Sequence, residues 1–179
     1  MIDELMASLE NLLANGKRNQ TDDLEEYVAH AIENNRLVAE IVALSKHNKA
    51  NIAARAIWIV RKLSETSAEL LSKYKPILLN DLTQSPFWEV KAELCHIIPR
   101  LKLDFEEIKE AIAFFKNNLD DESKIVKAWS LDALYELSKI EAKIGPEVLK
   151  LLNIALEDEA ASVRARARNI LKKVDAKKS

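Results

Sequence analysis

Apolar residues recur along this chain with the spacing of one helix face, and the same spacing returns four times. In residues 52–63, 90–101, 126–137 and 163–174 the apolar positions fall at the first residue and at +4, +7, +8 and +11. They read Ile52, Ala56, Ile59, Val60, Leu63; Val90, Leu94, Ile97, Ile98, Leu101; Val126, Ser130, Ala133, Leu134, Leu137; and Val163, Ala167, Ile170, Leu171, Val174. Only Ser130 departs from the pattern. Position +2 is alanine in all four (Ala54, Ala92, Ala128, Ala165) and lies almost opposite the apolar face. A small side chain there lets a second element approach closely, so each of these helices is expected to be packed on two sides. The segments start 38, 36 and 37 residues apart, and the last apolar residue of the helix upstream of each (Leu44, Leu82, Leu119, Leu156) steps by 38, 37 and 37. Two independent markers with one period predict a stack of helix pairs.

Helices are predicted near 2–15, 21–34, 35–46, 50–64, 66–82, 86–101, 104–119, 122–139, 145–156 and 160–174, which makes about five antiparallel pairs. The boundaries carry the chemistry of helix ends. Ser85-Pro86 offers an N-cap and a first-turn proline, Gly145-Pro146 breaks and restarts the chain, and Asp104, Asp121 to Ser123 and Asp158 supply caps and first-turn acids. Two glycines and four prolines in 179 residues leave little with which to turn a sheet. The expectation is an all-α superhelix, or solenoid, in one domain over 1–179. Residues 1–34 lack the aligned pattern and form an N-terminal capping pair, 35–174 hold four repeats, and 175–179 form a frayed tail.

Within the aligned helices, an aliphatic residue followed by Lys or Arg and then Ala comes after an acidic turn, Asp120-Asp121-Glu122 or Glu157-Asp158-Glu159. This pattern resembles the second helix of a HEAT repeat, and the resemblance covers about residues 35–174. It implies a HEAT/armadillo-like α-α superhelix in which the second helices line the concave side. It also implies a ladder in which the basic residue after the first aliphatic pairs with the acidic turn. Lys127 and Arg164 match, with Asp121 and Asp158 as partners. Lys91 has only Ser85 at the matching turn and Ala53 carries no charge, so the ladder is not expected in the first two aligned repeats. HEAT-like proteins include scaffolds, transport receptors, enzyme subunits and nucleic-acid binders, so the resemblance speaks for architecture more than for function.

Charge adds polarity to this picture. The formal net charge is -2, from 27 basic and 29 acidic residues, which gives no overall field selecting nucleic acid or an anionic membrane. Residues 1–34, with eight acids and two bases, carry -6, whereas residues 160–179, with seven bases and one acid, carry +6. Cys95 is the sole cysteine and excludes an internal disulfide, which fits a reducing, cytoplasmic compartment; with His30, His47 and His96 it makes a poor metal set. No run approaches the ~20 apolar residues of a membrane span. Two isolated glycines exclude phosphate-cradling loops, and no nucleophile elbow is present. Cys95 and His96 are neighbours in a helix and point in different directions, so a buried thiol is expected there. The acidic clusters Asp22-Asp23-Glu25-Glu26 and Asp120-Asp121-Glu122 read as helix starts and solvated faces. No enzymatic activity, cofactor or metal is expected.

Positions +3, +6 and +10 project away from both the apolar face and the alanine column. They read Arg55, Trp58, Lys62; Glu93, His96, Arg100; Trp129, Asp132, Glu136; and Arg166, Asn169, Lys173. The resemblance places this ridge in the groove, and tryptophan beside arginine is the composition of binding hot spots. The bland alternative is that Trp58 and Trp129 pack between helices. The leading expectation is a scaffold or adaptor binding a protein or peptide along the ridge. The alternative is a nucleic-acid binder, distantly like the DNA alkylation-repair glycosylases built from HEAT-like repeats, resting on Arg164, Arg166, Arg168, Lys172 and Lys173. The chain is expected to be a monomer or to self-associate weakly through its oppositely charged ends.

Overall fold

The structure, a computed structural model, describes residues 2–17 and 20–176. Nine α-helices follow one another among these residues: α1 (Ile2–Asn15), α2 (Glu25–Glu33), α3 (Asn35–Leu44), α4 (Ala50–Thr66), α5 (Trp88–Ile97), α6 (Phe105–Asn117), α7 (Lys124–Ile140), α8 (Gly145–Ala155) and α9 (Ala161–Ala176). No strand occurs among the described residues. Helix α9 runs two residues past the predicted end, through Asp175 and Ala176; Lys177, Lys178 and Ser179 of the expected tail, and Arg18, lie outside the described residues.

The chain gathers into two compact units, one through Lys102 and one from Leu103. In the first, α4 is the central element, packing on α1, α2, α3, α5 and the helical segment that follows it. Its residues from Ile52 to Ile57, together with Ile59, Val60, Leu63 and Ser64, are all buried. In the second unit, α7 packs on α6, α8 and α9. The predicted core columns are borne out except at Leu171 and Val174 of α9, which are half-buried. Each of Ile52, Ala56, Ile59, Val60 and Leu63 is 0% exposed, as are Val126, Ser130, Ala133 and Leu137. The alanine column is buried at Ala54, Ala92 and Ala128, while Ala165 is half-buried.

Several helix ends follow their predicted chemistry. Asp104 and Glu107 form a reciprocal capping box at 2.9 and 2.8 Å. Ser123 caps α7, and Asp121 and Asp158 accept from the backbone N–H of Ser123 and Ala160 at 2.8 and 2.7 Å, the same turn in two successive repeats. Two predicted helices differ. The stretch expected as one helix over 66–82 is a 3-10 turn (Ala68–Tyr74), a π-helical turn (Ile77–Asp81) and another 3-10 turn (Leu82–Gln84). Pro76 lies between the first two; it brings no N–H and crowds the carbonyl four residues earlier, so a regular α-helix cannot pass through it. The apolar spacing survives the distortion, because Leu71, Tyr74, Leu78, Leu79 and Leu82 are all buried. Helix α5 begins at Trp88, with Ser85 instead accepting from the Phe87 N–H at 3.3 Å.

Arg55 is 0% exposed, which corrects the expectation that it faces outward on the ridge. Its guanidinium donates to the carbonyls of Lys17, Gln20 and Leu12, and pairs with Asp23 Oδ2 at 2.7 Å. The connection between α1 and α2 is thereby closed onto α4, and Asn51 adds a bond to the Gly16 carbonyl at 2.6 Å. Gly16 has to be glycine because a Cβ there would lie 2.1 Å from Arg55 Cζ. Removing one partner of a buried ion pair costs about 3–5 kcal/mol. Both Arg55→Ala and Gly16→Ala are therefore expected to lower the urea midpoint of the first unit, and the cost of Gly16→Ala should largely vanish when Arg55 is already alanine. Additive losses in that double-mutant cycle would show that the two residues do not share one packing constraint.

Candidate partner-binding ridge

Each unit presents its own part of the predicted ridge. In the first unit Trp58 is half-buried on α4, with Arg61 Cζ 5.8 Å and Lys62 Nζ 5.2 Å from its ring centroid. Such contacts contribute about 0.5–1 kcal/mol at exposed sites. Arg61 Nε reaches Glu93 Oε2 on α5 at 2.7 Å, and its Nη1 reaches Glu65 at 2.6 Å. Lys62 lies 3.6 Å from Glu25. Burial lifts the Glu93 carboxyl from an ordinary 4.5 up to about 7, against the pull of Arg61 and with a further push from Glu65. His96 is half-buried, and Arg100 is exposed, donating to the His96 carbonyl.

In the second unit Trp129 is half-buried on α7, and Asp132 pairs with Arg166 of α9 at 3.0 Å. Burial raises the Asp132 carboxyl above its usual value although Arg166 and Lys173 both favour its charged form. Glu136 pairs with Lys139 at 2.5 Å, and Asn169 and Lys173 are exposed.

A regularity emerges that the sequence did not announce. Arg55, Glu93 and Arg166 all occupy position +3, and each forms an ion pair with the helix pair before it, to Asp23, Arg61 and Asp132 respectively. Those three residues brace one pair against another; in α7 the +3 position is Trp129, and the +6 residue Asp132 is the partner in the brace to α9. The partner Arg61 was missed because it sits at +9, a column assigned to no face. The implied ladder also takes another form: Lys127 Nζ lies 3.9 Å from Asp158 Oδ2, the acid of the following turn, and Arg164 donates to the Asp158 and Glu159 carbonyls at 2.6 and 2.8 Å.

Cys95 is buried, its Sγ against the Lys91 carbonyl at 3.4 Å. Among the described residues no group of three or more His, Cys, Asp or Glu is placed to hold a metal, and no helix is long and apolar enough to cross a membrane.

The model of the HEAT repeat domain matches residues 8–174. The chain belongs to the HEAT-repeat family. HEAT repeats build scaffolds that generally mediate protein interactions. The crystal structure of an engineered protein is similar to this HEAT-repeat chain, with a TM-score of 0.64 and 16% identity over 98% of this chain and 83% of that one, a likeness of fold alone. None of the curated proteins matches the chain.

The elevated Glu93 carboxyl gives this brace a pH signature. A carboxyl that holds its proton more tightly folded than unfolded adds stability that is complete below about pH 4.5 and is lost as pH rises through about 7. Between those limits the stability of wild type relative to Glu93→Gln should fall, with a slope of at most about 1.4 kcal/mol per pH unit. Denaturant midpoints of the two proteins across that range test this, and a pH-independent difference would contradict it.

Proposed function

We propose that the chain is a non-catalytic HEAT-repeat scaffold or adaptor that holds a protein or peptide partner along the second helices of its repeats. The observation that carries this reading is Trp58, half-buried and flanked by Arg61 and Lys62, on a ridge whose remaining charges are largely paired. Aromatic surface beside cations supplies anchoring area, and paired charges supply register without a strong field of either sign. The proposed contacts are Trp58, Lys62, Glu93, His96 and Arg100 on the first unit and Trp129, Asp132, Glu136, Arg166, Asn169 and Lys173 on the second, with Arg55 excluded by its burial. Cytoplasmic residence, a single repeat domain capped by residues 1–34, and the lack of any cofactor belong to the same proposal.

The nucleic-acid alternative rests on α9, where two of its five cations are already engaged. Arg164 is held by two carbonyls and Arg166 by Asp132, which leaves Arg168, Lys172 and Lys173. Glu65, Glu93, Asp132 and Glu136 would meet phosphates on the ridge itself.

Affinity capture from nuclease-treated native lysate, wild type against a Trp58→Ala, Trp129→Ala, Arg100→Ala variant, tests the proposal. Hot-spot truncations cost about 2 kcal/mol or more, so the partner's affinity should fall by at least about 30-fold. Identical partner sets would count against the ridge. Capture that depends on nucleic acid, with affinity dropping steeply as salt rises, would favour the alternative.

A further inference from the structure

We propose that a second copy of this chain docks on α9, the outward stripe of α2 in one molecule seating on the outward stripe of α9 in another. Positions +2, +5 and +9 of α4 and α7 lie on the side where the following second helix, α5 or α9, packs. In α4 they are Ala54 and Ile57, 5% and 0% exposed, and Arg61, braced to Glu93 of α5. In α7 they are Ala128, Leu131 and Tyr135, 5%, 1% and 7% exposed; Leu131 lines one cavity with Leu151 and Val163, and Tyr135 another with Leu152 and Val174. In α9 the same columns hold Ala165, Arg168 and Lys172. Ala165 is half-buried, whereas Arg168 and Lys172 are exposed.

Neither of those cations has an ion-pair partner among the described residues. Arg61, Lys62, Lys127 and Lys139 on α4 and α7 each have a carboxylate within 4.0 Å. The α9 stripe is therefore a docking column with one small residue at its start, followed by two exposed cations that have no ion-pair partner among the described residues.

Its complement lies on α2. Glu26, Ala29 and Glu33 are exposed there with the spacing i, i+3, i+7, the same as Ala165, Arg168 and Lys172. Glu33 has no ion-pair partner among the described residues, and Glu26 has only His30 at 3.5 Å. Ile32, 41% exposed, lies beside this stripe. Each stripe is about 10 Å long; that of α2 is centred on Ala29, which leaves room for the long Arg168 side chain at the centre of the α9 stripe. With the two stripes in register, Arg168 falls opposite Ala29, between Glu26 and Glu33, and Lys172 falls opposite one of those carboxylates, in a contact whose two sides differ. Exposed ion pairs are weak singly and screened by salt, so the association is weak and salt-labile.

Sedimentation of the full chain over about 1 µM to 1 mM, the range that reads weak association, tests this. At low salt the weight-average mass should climb above the 20.3 kDa of one chain as concentration rises. At about 0.5 M salt, where screening acts within a few ångströms, it should return to that value. Arg168→Glu with Lys172→Glu, and Glu26→Lys with Glu33→Lys, should each be monomeric alone with unchanged helical circular dichroism, and their equimolar mixture should associate again. A constant mass of one chain, association that survives either reversal, or a mixture that stays monomeric would overturn the proposal. So would a chain that remains monomeric while Arg168 and Lys172 hold a polyanion such as heparin.

Discussion

Helices α4 and α7 are each covered on two sides at once, and most of what is particular about this chain follows from that constraint. One side is the aliphatic face packed on the helix before it; the other is the alanine column, which admits α5 beside α4 and α9 beside α7. Helices pack at about 8–10 Å depending on the side chains at the contact, and the shorter distances need small residues. Helix α4 shows how little room is left: Ala53, Ala54 and Ala56 are all 5% exposed or less. Adding methylenes at such positions costs about 1–3 kcal/mol through strain. What remains for polar side chains is a narrow strip at +3, +6, +9 and +10.

Because that strip lies against the neighbouring helix, charges in it lose water, and ion pairs there differ in kind from those elsewhere on the repeats. Glu93 and Asp132 both have an arginine within 3.0 Å, yet burial outweighs the attraction and raises both carboxyls. Losing either arginine would leave a poorly solvated carboxyl. On the side of the first helices, Lys46–Asp81 and Lys116–Glu147 are at 2.5 Å with side chains 40–47% exposed. Well-hydrated pairs of that sort contribute about 0–1 kcal/mol. Similar distances therefore conceal a structural brace in one place and ornamented surface in the other.

This contrast explains what could be read in the amino-acid sequence. The period, the apolar columns and nearly every helix were legible, because burial repeats every 36–38 residues and few glycines or prolines interrupt it. The irregular 68–84 segment was not, since its apolar spacing stays helical while Pro76 distorts the backbone beneath it. Asn34 capping α3 through the Arg36 and Leu37 N–H groups was missed for a simpler reason: no apolar boundary marks it. Arg55 was misplaced outright. Arginine is rarely fully buried, and what buries it, Asp23 with the carbonyls of Leu12, Lys17 and Gln20, comes from a connection 32 to 43 residues earlier. Helical periodicity assigns a direction to a side chain but does not reveal a loop waiting there. The ridge was accordingly legible as a set of directions and illegible as a set of partners.

The brace at +3 also bears on how a ligand could be read. A code of one reading residue per repeat needs the same column to be free in each. Here +3 is committed to ion pairs at Arg55, Glu93 and Arg166. The +6 column holds Trp58, His96, Asp132 and Asn169, with no shared chemistry, and the aromatic moves from +6 in α4 to +3 in α7. Variation at the three paired +3 residues is penalised through stability, and so is variation at Asp132, the +6 residue that pairs with Arg166. No single column of the ridge is therefore both free of ion pairs and uniform in chemistry from repeat to repeat. What each unit carries instead of a repeated column is one half-buried ridge tryptophan, Trp58 or Trp129, among charges that are mostly engaged with their neighbours.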